Sequence, residues 1–318
     1  MYQSLSISGL LTLELHALNN EGAEGNTMMT RMVNIIDQQG RKHTVNAVSG
    51  DMFKHIVVEH LLGASRSAGL PLCAGCTVFN ANRICADKGF MNTPGWDKET
   101  LDSVILGGVI ERCVIDDCAG ILITGKIGKE RSIARKSCFE IGWVVGRPDS
   151  VTTDSYFHAK YVPEGRGEGS GQGENLGQNI FHRPASSGQY AAVVNLDLYK
   201  VGRNDITLAY GIDEPGRKKR ISALLRSVIS AFVKPTGAHR NTQNPHVVDF
   251  EGVITTSTSS LPAPTVSALN KDYVAELDRL VAALNGLSTA AGSIAARKFN
   301  GLANFAEQMA DIERQEAS

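Results

Sequence analysis

The sequence lacks the features of a membrane or secreted protein. It has no apolar run long enough to span a bilayer, and it does not open with a basic segment followed by an apolar one. Its 318 residues, 42% hydrophobic and 20% charged, have the composition of an ordinary globular protein. We therefore expect a cytoplasmic protein with no membrane partner.

The sequence also lacks an excess of positive charge, and aromatic side chains are few. The formal net charge is −1 at pH 7, and aromatic residues make up 6% of the chain. Proteins that grip duplex DNA by its phosphates are usually basic, so non-specific binding to duplex DNA should be weak. The sequence shows no helix-turn-helix pattern, no internal repeat and no run of alternating aromatics for stacking bases on a sheet.

Two patterns that suggest catalysis each lack an essential part. Residues 120–127 follow a phosphate-loop pattern as far as Lys126, but Ile127 has no hydroxyl for Mg²⁺, and the run is typical of a strand. Asp116 and Asp117 could hold a metal for hydrolysis, but nothing nearby supplies a base, so we interpret the pair as a solvated turn. We predict no catalytic residues.

Six cysteines are present without a secretion signal, which indicates thiols or metal ligands before disulfides. Cys73 and Cys76 have the spacing of one zinc knuckle, and two of Cys85, Cys113 and Cys118 could supply a second half. Against zinc, there is no second Cys-x-x-Cys, and reduced cysteines are common buried residues. A structural zinc at Cys73, Cys76, Cys85 and Cys113 therefore stays open beside plain buried thiols, and no other cofactor is expected.

Strand and helix patterns alternate along the chain. Apolar residues alternate in residues 5–16, 137–146, 190–201 and 246–255, and they recur with helical spacing in residues 52–62 and 221–232. A Gly-rich tip, residues 165–173, separates the halves of a hairpin. A linker, residues 256–264, precedes one or two C-terminal helices. This order predicts an α+β fold with a βαββαβ, ferredoxin-like core.

The first strand and the first helix also carry a specific signal. His16-Ala-Leu-Asn-Asn-Glu-Gly, Gly25-Asn26 and Arg31 are followed by Val45-Asn-Ala-Val-Ser-Gly-Asp-Met-Phe-Lys-His-Ile. In order and spacing these blocks resemble the N-terminal signature of the DevR-type autoregulator family of CRISPR-associated proteins. That family, within the RAMP superfamily, is the repeated backbone subunit of the type I Cascade complex. The resemblance covers most of the chain.

The resemblance implies an RRM-like palm with a finger insertion, a β-hairpin thumb and C-terminal helices. It implies a non-catalytic subunit that polymerises along a guide RNA and presents it to a target DNA strand. The expected partners are therefore guide RNA, target DNA, further copies head to tail and other Cascade subunits. The implied divisions are palm 1–63, finger 64–119, palm 120–150, thumb 151–194, palm 195–260, and linker with C-terminal helices 261–318.

The basic residues and the resemblance together predict RNA contacts. Lys54 and His55 should touch guide phosphates near a helix start capped by Ser49, where free N–H groups favour an anion. In the thumb, Phe181 can stack on a base while Arg183 holds a phosphate. The predicted RNA-contacting residues are Asn20, Arg31, Asn46, Ser49, Lys54, His55, Arg135, Lys136, Lys160, Phe181, His182, Arg183, Arg240 and Asn241.

Other basic positions have a simpler interpretation. We interpret Arg131, and the run of four cations at residues 217–220, as solvated surface charge, although the run could also hold an anion at a helix start. Gly237, in the polar loop 235–241, could let the backbone approach RNA closely.

Two other functions are weighed against the RNA scaffold. Related subunits that cut target RNA use an Asp in the loop after the first strand. Here that loop offers Glu21 and Glu24 and no Asp, which argues against an endonuclease. The family's older name suggests a transcriptional regulator, against which the missing helix-turn-helix pattern and the charge both count.

Overall fold

The computed structural model describes residues 1–161, 178–287 and 292–317. These residues form twelve β-strands and eight α-helices. The strands are β1 (Ser4–His16), β2 (Asn20–Glu24), β3 (Thr27–Thr30), β4 (Met32–Ile36), β5 (Lys42–Val48), β6 (Ile121–Ile127), β7 (Lys129–Arg135), β8 (Phe139–Ile141), β9 (Val144–Tyr161), β10 (Gln178–Leu196), β11 (His246–Ser257) and β12 (Ile294–Asn300). The helices are α1 (Gly50–Ser67), α2 (Ala74–Thr77), α3 (Lys88–Met91), α4 (Asp102–Arg112), α5 (Val114–Ala119), α6 (Glu214–Val233), α7 (Tyr273–Asn285) and α8 (Leu302–Ala317).

One large sheet organises these elements. Its main path runs β12-β11-β1-β10-β9-β5-β4, and β6 and β7 form a separate pair. Strand β1 lies at the centre and is antiparallel to both β10 and β11. The predicted α+β class is confirmed, with a large, mainly antiparallel sheet. No helix in the described ranges is both long and apolar enough to cross a membrane.

The alternating pattern of β1 places its two faces in different environments. Leu5, Ile7 and Leu11 are fully buried in the main core, which α1 and α6 cover. On the opposite face, Ser6 Oγ donates to the carbonyl of Ala263 at 2.9 Å, so part of the predicted linker is held against the sheet. The period of two therefore correctly predicted a strand with one face on the main core, but the other face is buried as well, because Leu10 packs there in a second, smaller core.

Helix α1 begins where the sequence predicted a cap. Ser49 Oγ accepts a hydrogen bond from the N–H of Met52 at 3.2 Å. The N–H of Ser49 donates to Asn19 Oδ1 at 2.8 Å, so the segment after β1 is tied to the start of the helix. The helix covers the predicted residues 52–62 and continues to Ser67.

The insertion at residues 64–119 contains four helices, α2 to α5, although its many Gly, Pro and Asn residues suggested loops. Its apolar residues, including Ile105 and Val109 of α4, join the main core, so it builds no separate core. The interpretation of Asp116 and Asp117 as a solvated turn is wrong, because both side chains are fully buried in α5.

Three further stretches differ from the predictions. Residues 17–31 contain β2 and β3, whose short polar strands pair with each other while β3 meets β10. Residues 137–146 form β8 and the start of β9 rather than one strand. Ile294 begins β12, which pairs with β11, instead of continuing a C-terminal helix. In all three stretches the strands are defined by hydrogen bonds to neighbouring strands, which the spacing of apolar residues in the sequence does not indicate.

Candidate nucleic-acid interface

A cleft of about 390 Å³ lies between α1 and the turn that follows α2. Lys54 and His55 line one side, and Asn80 and Arg83 line the other, with Asp51 as the acidic member. We call Lys54, His55, Asn80 and Arg83 the basic cleft. The two predicted phosphate contacts on α1 thus share one space with two residues that the sequence did not single out.

Lys54 is held in place by neutral partners. Its Nζ donates to Ser137 Oγ at 3.0 Å and lies 5.2 Å from the ring centroid of Phe139. Burial, and secondarily the charge of Arg83, lower the pKa of Lys54 below its usual value. Because the two cations repel each other here, an anion between them would be electrostatically favoured.

The far wall of the basic cleft is a tight turn. A Cβ at Gly75 would lie 1.9 Å from the carbonyl oxygen of Arg83, so only glycine allows the turn to close. Phe79 and Arg83 both have positive φ, at 53° and 45°, which is uncommon for such residues. Arg83 Nη1 donates to the carbonyl of Gly120 at 2.6 Å. No local sequence pattern indicates that this turn meets α1, because the two are far apart in the sequence.

The hairpin of β9 and β10 carries a second group of predicted residues. Phe181 lies opposite His158 in the register, and their rings stack at 5.5 Å with 8° between planes. The guanidinium of Arg183 lies 4.7 Å from the Phe181 ring, and its Nη1 is 2.9 Å from His239 Nε2. We call His158, Phe181, Arg183 and His239 the hairpin stack.

No carboxylate among the described residues pairs with Arg183. Its other described hydrogen-bond partner is Thr242 Oγ1 at 3.4 Å, and its buried Nε has no partner among the described residues. Burial and the charge of Arg183 lower the pKa of His239, which favours the neutral, accepting imidazole. A half-buried cation whose described partners are all neutral groups is suited to binding an external anion.

The remaining surface predictions lie in separate places. Arg31 pairs with Glu21 and lies 5.4 Å from the Trp143 ring. Arg240 pairs with Glu59 at 3.1 Å. Lys136 and Asn241 are exposed, and Asn20 Nδ2 contacts Met28 Sδ at 3.0 Å. The side chain of His182 packs against Phe157 on the other face of the hairpin, at 5.9 Å. The side chain of Lys160, and the Gly-rich tip at residues 165–173, lie outside the described residues.

Two predicted RNA contacts are buried and already occupied by protein partners. Asn46 is 1% exposed, donates to the carbonyl of Arg31 at 3.0 Å and accepts from Tyr190 OH at 3.0 Å. Arg135 is 2% exposed, and its guanidinium bonds to Asp117 at 2.7 Å and Asp205 at 2.9 Å. Contact with RNA through either side chain does not fit this burial. Both strands turn these residues inward.

Arg135 belongs to an internal ion-pair group that we call the Asp117 centre: Asp117, Arg135 and Arg220. Arg220 Nη1 bonds to the second oxygen of Asp117 at 2.7 Å. The interpretation of the other basic positions as solvated is wrong for Arg131, Arg217 and Arg220, which are all buried. Arg131 pairs with Asp102, and Arg217 pairs with Glu214.

Gly237 approaches protein rather than a ligand. A Cβ there would lie 2.4 Å from Leu18 Cδ2, and the N–H of Ala238 donates to the carbonyl of Leu18 at 3.0 Å. The loop after α6 is thus fastened to the segment after β1. The expected close approach of Gly237 to RNA is wrong, because Leu18 already fills that space.

The cysteines converge in part. Cys73, Cys76 and Cys113 lie together with Asp116, and all four are buried. The fourth predicted ligand, Cys85, is elsewhere, with its Sγ 3.9 Å from the carbonyl of Leu122. The sequence therefore found three members of the cluster and missed Asp116, whose burial an acidic pair before a strand does not indicate.

The chain is similar to known proteins in fold and in family. One chain of a solved "CRISPR RNA-guided surveillance complex, pre-nicking" matches with a TM-score of 0.51 and 11% identity, covering 98% of this chain and 100% of that chain. A chain of a second "CRISPR RNA-guided surveillance complex" matches with a TM-score of 0.46 and 10% identity, covering 98% of this chain and 99% of that chain. No curated protein matches. Residues 7–277 match the family described as "CRISPR-associated negative auto-regulator DevR/Csa2", and the protein belongs to that family.

Proposed function

We propose that this protein is a non-catalytic, guide-RNA-binding backbone subunit of a type I Cascade complex. In this proposal its copies polymerise along the guide RNA and present it for pairing with a target DNA strand. The family match over residues 7–277 is the observation that carries the proposal. The solved chain of similar fold comes from an RNA-guided surveillance complex.

The strand order supports a ferredoxin-like palm. Four neighbouring strands of the main sheet run β11-β1-β10-β9, and α1 and α6 pack against each other over its core face. This is the order that a βαββαβ core gives when its two helices cross the same face. The helical insertion after α1 then serves as the finger, and the β9–β10 hairpin serves as the thumb.

The two surface groups suit different parts of an RNA strand. The basic cleft offers Lys54 and Arg83 to a phosphate, and the hairpin stack offers the Phe181 ring to a base. In this proposal the cleft holds a phosphate and the ring stacks on the face of any base, so the subunit accepts any guide sequence while base pairing reads the target. The net charge of −1 fits an assembly in which acidic and basic surfaces of adjacent copies meet.

We propose that the subunit does not cut RNA. In the segment after β1, Glu21 pairs with Arg31, and no Asp is present between residues 17 and 26. A carboxylate neutralised by arginine is a poor general base. Incubating the assembled complex with a labelled RNA complementary to its guide should leave that RNA intact. Regularly spaced cuts would favour the endonuclease instead.

The decisive experiment is purification after co-expression with the genomic neighbours and a repeat–spacer array, followed by sequencing of the bound RNA. We expect short RNAs of uniform length that carry repeat sequence, in an assembly far larger than 34.1 kDa. A monomer without RNA would contradict the proposal and favour a transcriptional regulator.

Variants test the two surface groups within that assembly. Lys54→Ala and Arg183→Ala should each release RNA at a lower salt concentration, because each removes a phosphate contact. Lys298→Ala and Arg279→Ala are matched controls, since β12 and α7 lie at the far edge of the sheet. Equal RNA retention by all four variants would contradict both assignments.

A further inference from the structure

Four potential metal ligands converge where α2 meets α4 and α5. Cys73 immediately precedes α2, Cys76 lies within it, Cys113 separates α4 from α5, and Asp116 lies in α5. One ligand atom from each residue lies within 4.8 Å of the other three. A tetrahedral zinc with Zn–S bonds of about 2.3 Å keeps its sulfur ligands roughly 3.8 Å apart, so the cluster needs only small adjustments.

Asp116 supplies an independent sign that a cation belongs here. Its side chain is fully buried, and Oδ1 has no hydrogen-bond partner among the described residues. Its other oxygen lies 3.3 Å from Cys73 Sγ and 3.6 Å from Cys76 Sγ. The next residue, Asp117, is equally buried but bonds to two arginines. A buried carboxylate without such a counterion is costly, and a divalent cation would stabilise it.

We propose that Cys73, Cys76, Cys113 and Asp116 bind one zinc ion. Three thiolates with one carboxylate favour zinc over Mg²⁺ or Ca²⁺, which prefer oxygen ligands. Four protein ligands close the coordination sphere, so the site is structural rather than catalytic. The N–H of Cys76 donates to Cys73 Sγ at 3.3 Å, which would stabilise a thiolate at that sulfur.

The proposed zinc site lies next to the basic cleft, so the ion would affect the structure of the cleft. Cys76 itself lines the cleft, and Phe79, Asn80 and Arg83 follow it in the chain. Zinc would therefore fasten the far wall of the cleft to α4 and α5. This consequence rests on the proposed RNA-binding function, whereas the binding of zinc does not.

The first test measures metal in the full-length protein, purified with reductant in zinc-containing medium and then desalted. Elemental analysis should find one zinc per chain. Replacement of zinc by Co²⁺ should give the thiolate-to-cobalt charge-transfer absorption of a tetrahedral site. Wild-type protein without zinc and without that absorption would overturn the proposal, as would an intact mass showing a Cys73–Cys76 disulfide.

Variants test the ligand set. Cys113→Ser and Asp116→Asn should each weaken zinc binding by at least about tenfold in competition with a chelating dye. Cys85→Ser is the matched control and should keep one zinc per chain, because Cys85 lies outside the cluster. Loss of zinc in Cys85→Ser, or tight zinc binding in Cys113→Ser, would overturn this ligand set. If the variants do not fold, the cobalt spectrum of the wild type still decides.

A third experiment, with a chelator, tests the metal site and the proposed RNA-binding function independently. Removing zinc from the isolated protein should lower its affinity for single-stranded RNA, and adding zinc back should restore it. Zinc present but without effect on RNA would refute the role at the cleft wall alone. Zinc present in a protein that binds no RNA at all would refute the proposed function and leave the metal site standing.

Discussion

The Asp117 centre and the hairpin stack use arginine in opposite ways. Arg135 and Arg220 are buried, and each contacts one oxygen of the buried Asp117. Arg183 is only partly buried, and its partners are a neutral histidine, a hydroxyl and the ring of Phe181. The charges of Arg135 and Arg220 are neutralised within the fold, whereas no carboxylate in the described ranges pairs with Arg183.

The difference shows that the residue type alone does not assign an arginine to an interface. A buried ion pair need not add net stability, but removing one partner leaves the other charge buried and unpaired. A partly exposed arginine among neutral groups leaves no such charge behind when it is removed. Loss of stability should therefore follow substitutions in the Asp117 centre, and loss of RNA should follow substitutions in the hairpin stack.

The largest effect should come from Arg135→Ala. This change leaves Asp117 with one arginine and removes a bond to Asp205, so the free energy of unfolding should fall by about 3–5 kcal/mol. Urea unfolding measures it. Lys136→Ala, one residue later and exposed, is the matched control and should change stability by less than about 0.5 kcal/mol. If Arg135→Ala lost no more than its control, the Asp117 centre would not be the buried network described above.

His16 is a buried titratable side chain that, unlike the arginines of the Asp117 centre, has no carboxylate partner among the described residues. Burial lowers the pKa of His16 to about 4, and its Nε2 has no hydrogen-bond partner among the described residues. In the unfolded chain a histidine has a pKa of about 6.5, so below that pH the unfolded state binds the extra proton. The free energy of unfolding should be unaffected above about pH 6.5 and should fall by about 3 kcal/mol in total as the pH drops to about 4.

The measurement compares urea unfolding of the wild type and of His16→Gln at several pH values. The variant cannot take up that proton, so it should lack this part of the pH dependence. Carboxylates titrate in both proteins and cancel in the difference. Identical pH profiles would show that His16 is accessible to protons in the folded state.

The long periodic elements could be predicted because their signal is local. Strand β1, helix α1 with its Ser49 cap, helix α6 and strand β11 all follow patterns in which several apolar residues share one face. Strands β2 to β5 give a weaker signal, because they are only four to seven residues long and depend on hydrogen bonds to one another and to β9 or β10.

The arginines show where prediction of the site failed. In β7, Arg131 and Arg135 flank the buried Ile133 on the same inward face, so alternation could have marked both as internal. Their carboxylate partners lie far away in sequence, and no local pattern identifies such a pair. The same holds for Asp116, because Cys73 and Cys76 lie 43 and 40 residues before it in the sequence, although Cys113 is close by. Phe181 and Arg183 were predicted because their segment resembles the thumb of the family, and the hairpin register places the two side chains on one face.

A smaller effect, and one of a different kind, should follow from Phe181→Ala. The change removes the ring between His158 and Arg183, and base stacking on an aromatic ring contributes about 1–3 kcal/mol. The dissociation constant for single-stranded RNA should therefore rise by roughly tenfold, as measured by fluorescence anisotropy at fixed salt. Phe157→Ala is the matched control, because Phe157 lies on the other face of the same hairpin and is 59% exposed. Equal losses in both variants would mean that the hairpin stack is not the contacting face.

The smallest effect should come from Arg240→Ala. This variant tests whether pairing with a carboxylate or burial makes the arginines of the Asp117 centre more important for stability than Arg183. Arg240 is paired with a carboxylate, as in the Asp117 centre, but the side chains of Arg240 and Glu59 are 48% and 31% exposed. Thr236 Oγ1 also donates to Glu59 at 2.7 Å, so this carboxylate keeps a partner when the arginine is removed. An exposed pair of this kind contributes at most about 1 kcal/mol. A double-mutant cycle with Glu59→Gln, followed by urea unfolding, should therefore give a coupling energy below about 1 kcal/mol. A coupling near that expected for Arg135 would show that pairing alone, without burial, is enough to make an arginine essential to this fold.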